Sequence, residues 1–204
     1  SLKQNLLLYF NGLPFEDQQD IGTYLEYECL PTGGWGYESL PVYARYARNL
    51  GKPIVNMTGR FHRGWGDFGG IRTEASLEYD CLYGLANAMR ITIGDHFHPR
   101  GDINRAVFTL VRKVYSKIQK FEPWLDGAKA LTDIALVAPK PTFQTPAIDE
   151  DQPRCMEAVK GATRMLCELK MQFDIVSDTL SWDGYRLLVL PDRVLLGDDA
   201  GTKI

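Results

Sequence analysis

The first 122 residues alternate between short apolar runs, which are typical of buried strands, and longer runs in which apolar residues recur at helical spacing. Strands are predicted at 3–11, 23–29, 53–58 and 89–94, helices at 39–50, 73–87 and 102–122, and a loop at 14–22. The run at 3–11 is continuously apolar at its centre, so this strand is expected to be covered on both faces. Strands separated by helices predict an α/β fold with a parallel sheet.

A second β/α run begins after Trp124. Strands are predicted at 132–138, 172–176 and 185–191, a Pro-rich acidic loop at 139–153 and a helix at 154–170. We place a boundary near 124–131, which gives domains 1–127 and 128–204. Four strands make half of a (β/α)8 barrel, and three strands make half of a doubly wound sheet. The chain is therefore expected to be a fragment that begins inside a domain.

Polar side chains follow each strand of the first run. The strand tips are Asn11, Glu28, Asn56 with Thr58, and Asp95-His96-Phe97-His98. Because the carboxyl ends of parallel strands open on one face of a β/α fold, these groups are expected to converge there. Folds of this class carry out their chemistry at that face, so the sequence predicts a functional site around these tips.

Composition and charge limit the class of protein and its partners. With 45% hydrophobic and 24% charged residues, the 204-residue chain has the composition of an ordinary soluble globular protein. A net charge of -3 and a pI near 5.6 give no electrostatic reason to expect nucleic acid or an anionic membrane surface as the main partner. No apolar run approaches the ~18 residues needed to span a bilayer.

The cysteines bear on the compartment. Cys29, Cys81, Cys155 and Cys167 are widely spaced and form no CxxC pair, so buried thiols are expected rather than disulfides. This usage favours a reducing cytoplasm. No charged-then-apolar leader opens the chain, but that observation has little weight for a chain expected to start inside a domain.

Carboxylates and aromatic rings lie close together around the second strand. Glu26 and Glu28 share one face of that strand, which indicates a polar, open interior unless each pairs with an arginine such as Arg45 or Arg90. The following loop, Gly33-Gly-Trp-Gly-Tyr, supplies Trp35 and Tyr37. Rings beside carboxylates suit a sugar, whose C–H faces stack on rings while its hydroxyls need acceptors. The alternative is a Trp that only anchors its loop.

The loop after strand three concentrates polar and aromatic groups. Arg60, His62, Trp65 and Asp67 are candidate substrate contacts, although an irregular loop does not reveal which of them point inward. Its glycines form neither a GxxxxGK[ST] nor a GxGxxG motif, so no phosphate cradle is predicted.

The fourth tip contains an HxH pair. His96 and His98 flank Phe97 and share a face if the segment is extended, which is one arrangement of metal ligands. The alternative is that both are ordinary hydrogen-bonding histidines.

Three segments carry a family resemblance. They are Glu28-Cys-Leu-Pro-Thr-Gly-Gly-Trp-Gly-Tyr, Gly51-Lys-Pro-Ile-Val-Asn-Met-Thr-Gly-Arg-Phe-His-Arg-Gly-Trp-Gly-Asp and Ile93-Gly-Asp-His-Phe-His-Pro-Arg-Gly. They resemble the back half of the barrel in glycoside hydrolases related to α-L-fucosidases and to the trimeric β-galactosidases. Residues 132–191 are similar to the start of their β-galactosidase trimerisation domain, which is flavodoxin-like. The Glu-then-Trp-Gly-Tyr element also resembles classical α-L-fucosidases, which favours fucose over galactose.

The resemblance implies a C-terminal half of a (β/α)8 barrel followed by the start of a flavodoxin-like doubly wound domain. It implies a glycoside hydrolase that acts on a terminal sugar, needs no organic cofactor or metal, and forms a homo-oligomer such as a trimer at full length. Glu28 is the expected catalytic or substrate-binding carboxylate, and Trp35 and Tyr37 are expected to shape the pocket. The groups expected to hold sugar hydroxyls are Asn56, Arg60, His62, Trp65, Asp95 and His96.

One position departs from the pattern. In the trimeric β-galactosidases a nucleophilic Glu follows the Met that Met57 matches, and Thr58 occupies that place here. A second carboxylate would then come from an earlier strand outside this chain, as in the fucosidases. Two other functions stay open: a non-catalytic sugar-binding or assembly protein, and a metal-dependent hydrolase that uses His96 and His98.

Overall fold

In the computed structural model, which describes residues 5–125, 127–138, 152–194, 196 and 198–203, the chain forms two three-stranded parallel sheets with helices packed against them. The strands are β1 (Leu25–Glu28), β2 (Ile54–Gly59), β3 (Met89–Gly94), β4 (Ile134–Val137), β5 (Asp174–Val176) and β6 (Leu187–Val189). The helices are α1 (Phe15–Ile21), α2 (Ser39–Ala47), α3 (Glu74–Ala86), α4 (Arg105–Ile118), α5 (Glu122–Leu125) and α6 (Gln152–Glu168), with 3₁₀ turns at Pro31–Gly33 and Asp198–Thr202. The predicted α/β class with parallel sheets is confirmed.

The first sheet has the order β1-β2-β3 and the second β5-β4-β6. β3 begins and ends at the residues predicted from the apolar run, and β2 ends one residue later than predicted. Two helix starts follow from capping: the Thr73 side chain accepts from the Ser76 N–H at the start of α3, and the Asn104 side chain accepts from two N–H groups at the start of α4. Asn104 is the reason that α4 begins at Arg105 and not at 102.

The strand predicted at 3–11 is wrong for the residues that the structure describes. Residues 5–10 form no strand, and Leu6 and Leu7 are 57% and 79% exposed. Hydrogen bonds between Leu8 and Thr23 join this segment to the residues just before β1. An apolar run becomes a buried strand only where other elements cover it, and composition does not show whether they do.

The predicted loop at 14–22 is also wrong, because residues 15–21 form α1. Pro14 precedes the helix with extended backbone, Glu16 and Asp17 lie in its first turn, and Gly22 follows its end. Acidic residues near the N-terminus complement the helix dipole, so these signals favour a helix at this place. Of the predicted loop at 139–153, residues 139–151 lie outside the described part of the chain, and α6 begins at Gln152.

Helix α2 lies at the centre of the largest core. It packs against α3, α6 and β5, and eight of its nine residues are buried. One core cluster accordingly contains Leu25 and Ile54 of the first sheet together with Leu136 and Ile175 of the second. A helix that is covered on all sides belongs inside a core. The division into 1–127 and 128–204 remains a prediction.

The four cysteines are free thiols, and three of them, Cys29, Cys81 and Cys155, are buried. Within the part of the chain that the structure describes, no helix is both long and apolar enough to cross a bilayer.

A buried ion pair joins the end of α2 to the second sheet. Arg48, which follows α2, lies 2.6 Å from Asp174 of β5 and also donates to the Phe173 carbonyl and to Asn87. Asp174 accepts further from Thr132 and Tyr185. Each side chain of the pair is only 9% exposed, so both charges depend on these partners.

We expect Asp174→Ala to lower the free energy of unfolding by about 3–5 kcal/mol, because Arg48 would be left buried without its counterion. Urea unfolding measures this change. The control is Glu168→Ala, which removes an exposed i,i+4 partner of Arg164 and should cost less than about 0.5 kcal/mol. Equal stability of the two variants would contradict the buried-pair interpretation.

Candidate active site

Strand alternation divides the first sheet into a helix-covered face and an open face. The parallel register places Glu26 beside Val55 and Arg90, and Glu28 beside Met57 and Thr92, so these side chains share the open face. The alternate residues are buried in the layer of helices or lie close to it: Leu25, Tyr27, Ile54, Asn56, Thr58, Met89, Ile91 and Ile93. The carboxylates that β1 presents on the open face are therefore Glu26 and Glu28.

Glu28 is held by two neutral donors. The Trp65 indole Nε1 donates to its Oε1 at 2.5 Å, and the Asn11 amide donates to its Oε2 at 3.2 Å. Glu28 ends β1, Trp65 lies in the loop after β2, and Asn11 precedes α1. Of the predicted strand tips, Asn11 and Glu28 therefore lie together, and Trp65 from the loop after β2 joins them.

Gly94 makes room for the indole. A Cβ atom added at Gly94, the last residue of β3, would lie 2.1 Å from Cη2 of Trp65. No side chain fits in that space, so the ring lies directly over the backbone of β3 while its N–H reaches β1. Gly94 at the end of β3 therefore allows the position of Trp65, and Trp65 in turn orients Glu28.

An aromatic cluster adjoins this contact. The His96 ring lies 5.0 Å from Phe61, 5.7 Å from Trp65 and 4.9 Å from Phe68, measured between ring centroids. Phe61 is buried, whereas Trp65 and Phe68 are 41% and 61% exposed. Exposed rings beside a carboxylate offer a surface on which an apolar face of a ligand can stack.

Arg60 and Asp95 form a nearly buried ion pair, with Arg60 Nε 2.6 Å from Asp95 Oδ1. The Arg60 guanidinium also donates to the carbonyls of Asp67, Phe68 and Gly70. Arg60 is only 4% exposed. These contacts make Arg60 and Asp95 a support for the loop that carries Trp65, in addition to any contact with a ligand.

Glu26 lies in a less polar environment than Glu28. It is half-buried, and burial raises its pKa; the nearby Glu28 charge acts in the same direction, while a hydrogen bond from Tyr9 opposes the shift. Glu26 and Glu28 line one small cavity of about 20 Å³ together with Asn11, Gln18 and Trp35. That volume is close to the space of a single water molecule, so this cavity does not hold a sugar ring.

Three residues predicted as substrate contacts or pocket walls lie elsewhere. Asn56 is fully buried and donates to the Asp80 carbonyl, because its position in β2 faces α3. Tyr37 packs edge-on against Tyr79 and hydrogen-bonds Ser76, so it lies on α3. His62 is exposed in the loop after β2. The structure brings none of these three into the group around Glu28.

Trp35 has an intermediate position. Its ring contacts Tyr27 in an edge-on arrangement, its carbonyl accepts from Ser39, and it lines the small cavity next to Glu28. Both alternatives weighed for this residue, a core anchor of its loop and a neighbour of the carboxylates, therefore describe part of its environment.

Thr58 belongs to a buried network. Its hydroxyl donates to the Asp80 carboxylate at 2.7 Å, and Arg72 donates to both groups. The Arg72 and Asp80 side chains are 1% and 0% exposed. Because Thr58 faces α3, this position does not present a side chain to the open face. A carboxylate placed here would enter the helix layer.

The two histidines of the HxH pair have different surroundings. His96 lies in the aromatic cluster, whereas His98 is exposed with its Nδ1 3.5 Å from Asp102 Oδ1. In the described ranges, no group of three or more His, Cys, Asp or Glu side chains is arranged to hold a metal ion.

Sequence reasoning named Asn11 as a strand tip but did not include it among the site residues, and it missed Phe61 and Phe68. A signal for Asn11 existed, since it ends an apolar run as Glu28 does. No comparable signal existed for Phe61 and Phe68, because an aromatic residue in a Gly-rich loop is compatible with several orientations.

We expect Gly94→Ala to displace the Trp65 indole and break its hydrogen bond to Glu28, because the added methyl group would occupy the space of the ring. The indole N–H resonance of Trp65, assigned with Trp65→Phe, should move upfield in an NMR spectrum of the variant. Gly64→Ala is the matched control, since no atom lies within 4 Å of a Cβ at that position. A Trp65 resonance that is unchanged in Gly94→Ala would contradict this geometry.

Solved structures of glycoside hydrolases are similar to this chain. The chain is similar to α-L-fucosidase isoenzyme 2 from Paenibacillus thiaminolyticus, with 37% identity and a TM-score of 0.81 over 96% of this chain and 29% of that one. It shares the fold of part of a GH42 β-galactosidase from G. stearothermophilus, with 13% identity and a TM-score of 0.66 over 93% of this chain and 32% of that one. No protein-family model matches the chain, and a comparison with curated proteins yields no match.

The chain spans about a third of the length of each of these two enzymes. The resemblance that the sequence motifs carry is confirmed: over nearly its whole length, this chain is similar to a segment of a glycoside hydrolase.

Proposed function

We propose that this chain is part of a glycoside hydrolase that removes a terminal sugar, α-L-fucose in the first instance, with Glu28 as the carboxylate that acts on the substrate. The observation that supports this most directly is the position of Glu28 at the carboxyl end of β1, held by Trp65 beside a half-exposed aromatic cluster. The preference for fucose rests on the 37% identity to an α-L-fucosidase.

The charge of Glu28 suits this role. Among the described residues, its hydrogen-bond donors Asn11 and Trp65 are neutral, so they orient the carboxylate without cancelling its charge. Glycoside hydrolysis passes through a transition state with positive charge on the sugar, which a nearby carboxylate stabilises. This chemistry requires carboxyl groups and water, and neither a metal nor an organic cofactor is part of the proposal.

The proposed fold is the C-terminal half of a (β/α)8 barrel at 1–127 followed by the start of a flavodoxin-like domain at 128–204. The two separate parallel sheets and the TM-score of 0.81 to the fucosidase support this assignment. In such a barrel the second carboxylate of the reaction would come from a part of the longer protein that this chain does not include. We also propose that the longer protein is a homo-oligomer such as a trimer.

The other site residues differ in how close to the sugar this proposal puts them. We propose that Trp65 and His96, whose rings are in contact, touch the sugar, and that Arg60 and Asp95 support the loop that carries Trp65. Trp35 stays a neighbour of the carboxylates. Asn56, Tyr37 and His62 are given no contact with the sugar, because they lie in the helix layer, on α3 and in solvent respectively.

A second candidate is a sugar-binding protein without catalysis. The observation in its favour is that Thr58, at the position of the nucleophile of the trimeric β-galactosidases, lies in the buried Arg72–Asp80 network. The two functions share the same binding residues and differ only in turnover.

We expect the longest available form of the protein to hydrolyse nitrophenyl α-L-fucoside and Glu28→Gln to lower kcat/KM by roughly 10²–10⁴-fold, the range typical for loss of an acid–base carboxyl group. The assay is release of nitrophenol, with nitrophenyl β-galactoside as the competing substrate. Glu157→Gln, an exposed carboxylate of α6, is the matched control and should keep wild-type activity.

Full activity of Glu28→Gln would remove the basis of the proposed mechanism. Sugar binding in calorimetry without any hydrolysis would favour the binding protein. Stoichiometric zinc, with loss of activity on chelation, would favour the hydrolase that uses His96 and His98.

A further inference from the structure

We propose that Glu26 is the protonated member and Glu28 the ionised member of a carboxyl pair, and that Glu26 acts as a positioning residue which, by staying neutral, keeps Glu28 in its hydrogen-bonded place. This inference rests on the proposed function only where it concerns activity. The assignment of the proton follows from the geometry of β1 and the cavity beside it.

Both carboxyl groups project from one face of β1. As residues i and i+2 of a strand, their Cα atoms are separated by about 6.7 Å. Both side chains line the same small cavity. Two negative charges in this arrangement would repel each other, so one carboxyl group is favoured to keep its proton.

The hydrogen bonds decide which carboxyl group carries the charge. Each oxygen of Glu28 accepts from an N–H group, one from Asn11 and the other from Trp65. A proton on either oxygen would turn it into a donor that faces another donor. Glu28 is therefore the carboxylate.

The surroundings of Glu26 favour the neutral form. Its Oε1 atom is buried and accepts no hydrogen bond, and the same is true of Oε1 of the buried Gln18. Both residues line the same cavity, and a protonated Glu26 offers an O–H donor there. A charged Glu26 would leave a carboxylate oxygen buried without a partner, which is costly.

Among the titratable groups around Glu26, the Tyr9 hydroxyl donates a hydrogen bond to its carboxyl group, which opposes the rise in its pKa, and none supplies a positive charge. Tyr9 and Tyr24 lie on its N-terminal side and Glu28 on the other, and none of them is a cation. Arg90 shares the open face but is separated from Glu26 by Val55, and no ion pair joins the two among the described residues. Burial also raises the pKa of Glu26, which favours its protonated form.

The consequence for Glu28 is direct. If Glu26 loses its proton, the two like charges repel each other, and this repulsion opposes the orientation in which Glu28 accepts from both Asn11 and Trp65. Neutral Glu26 therefore maintains the orientation of Glu28 without contacting a substrate.

The direct test is an NMR titration of the protein labelled with ¹³C at the glutamate carboxyl groups, with Glu26→Gln and Glu28→Gln used to assign the two resonances. We expect the Glu26 resonance to titrate above the ordinary glutamate pKa of 4.5. Titration of Glu26 at or below that value would overturn the proposal. This experiment needs the folded wild-type protein and no activity.

The pH dependence of stability gives a second readout. Between the ordinary pKa of 4.5 and the raised pKa of Glu26, the folded state holds a proton that the unfolded state has released, so the free energy of unfolding falls as pH rises. Glu26→Gln should remove this part of the decline, while Glu157→Gln should keep the wild-type slope. Equal slopes for the wild type and Glu26→Gln would overturn the proposal.

Activity tests the positioning role. Glu26→Gln, a neutral isostere, should keep kcat within about threefold of the wild type at the pH optimum and lose the decline at higher pH that follows ionisation of Glu26. A folded but inactive Glu26→Gln protein would show that this carboxyl group itself takes part in the reaction and would overturn the positioning role. If the protein hydrolyses no glycoside, the proposed function fails, and the titration still decides which carboxyl group holds the proton.

Discussion

The hydrogen bond from Trp65 to Glu28 is the contact on which the candidate site depends. It connects the end of β1 to the loop after β2, and it exists because Gly94 at the end of β3 has no side chain. Three consecutive β/α units are thus fixed relative to one another at their carboxyl ends. The ion pair of Arg60 with Asp95 strengthens the same connection, because Arg60 also holds three carbonyls of the Trp65 loop.

The sequence predicts the strands of this sheet well, but it does not predict which face each polar residue takes. Apolar runs define β2 and β3 to within one residue. Asn56 and Thr58 were expected at the strand tip, yet their alternation in β2 turns both toward α3. They are tolerated there because Asp80 and Arg72 supply hydrogen bonds inside the layer. That network joins residues that are 8 to 24 positions apart, so no local pattern reveals it.

Prediction from the sequence also fails for the segment at 5–11 and for aromatic residues in loops. An apolar run near the start of the chain predicts a buried strand, but coverage by other elements is a property of the whole fold, and Leu7 is exposed here. Tyr37 was expected to shape the pocket because it is an aromatic residue of the loop after Glu28, and it lies instead against Tyr79. Spacing in a Gly-rich loop carries little information about direction, since glycine permits many backbone conformations.

The carboxylates at the ends of β1 and β3, Glu28 and Asp95, differ in whether a positive charge neutralises them. Asp95 is paired with the guanidinium of Arg60, so its charge is cancelled locally. Within the described part of the chain, Glu28 accepts hydrogen bonds from the neutral donors Asn11 and Trp65, and its charge remains available to a cation that forms nearby. A carboxylate that is oriented but not neutralised suits a reaction in which positive charge develops on the substrate. The same reasoning explains why a second charge at Glu26 would be harmful: it would repel the Glu28 carboxylate and oppose the orientation that Asn11 and Trp65 give it.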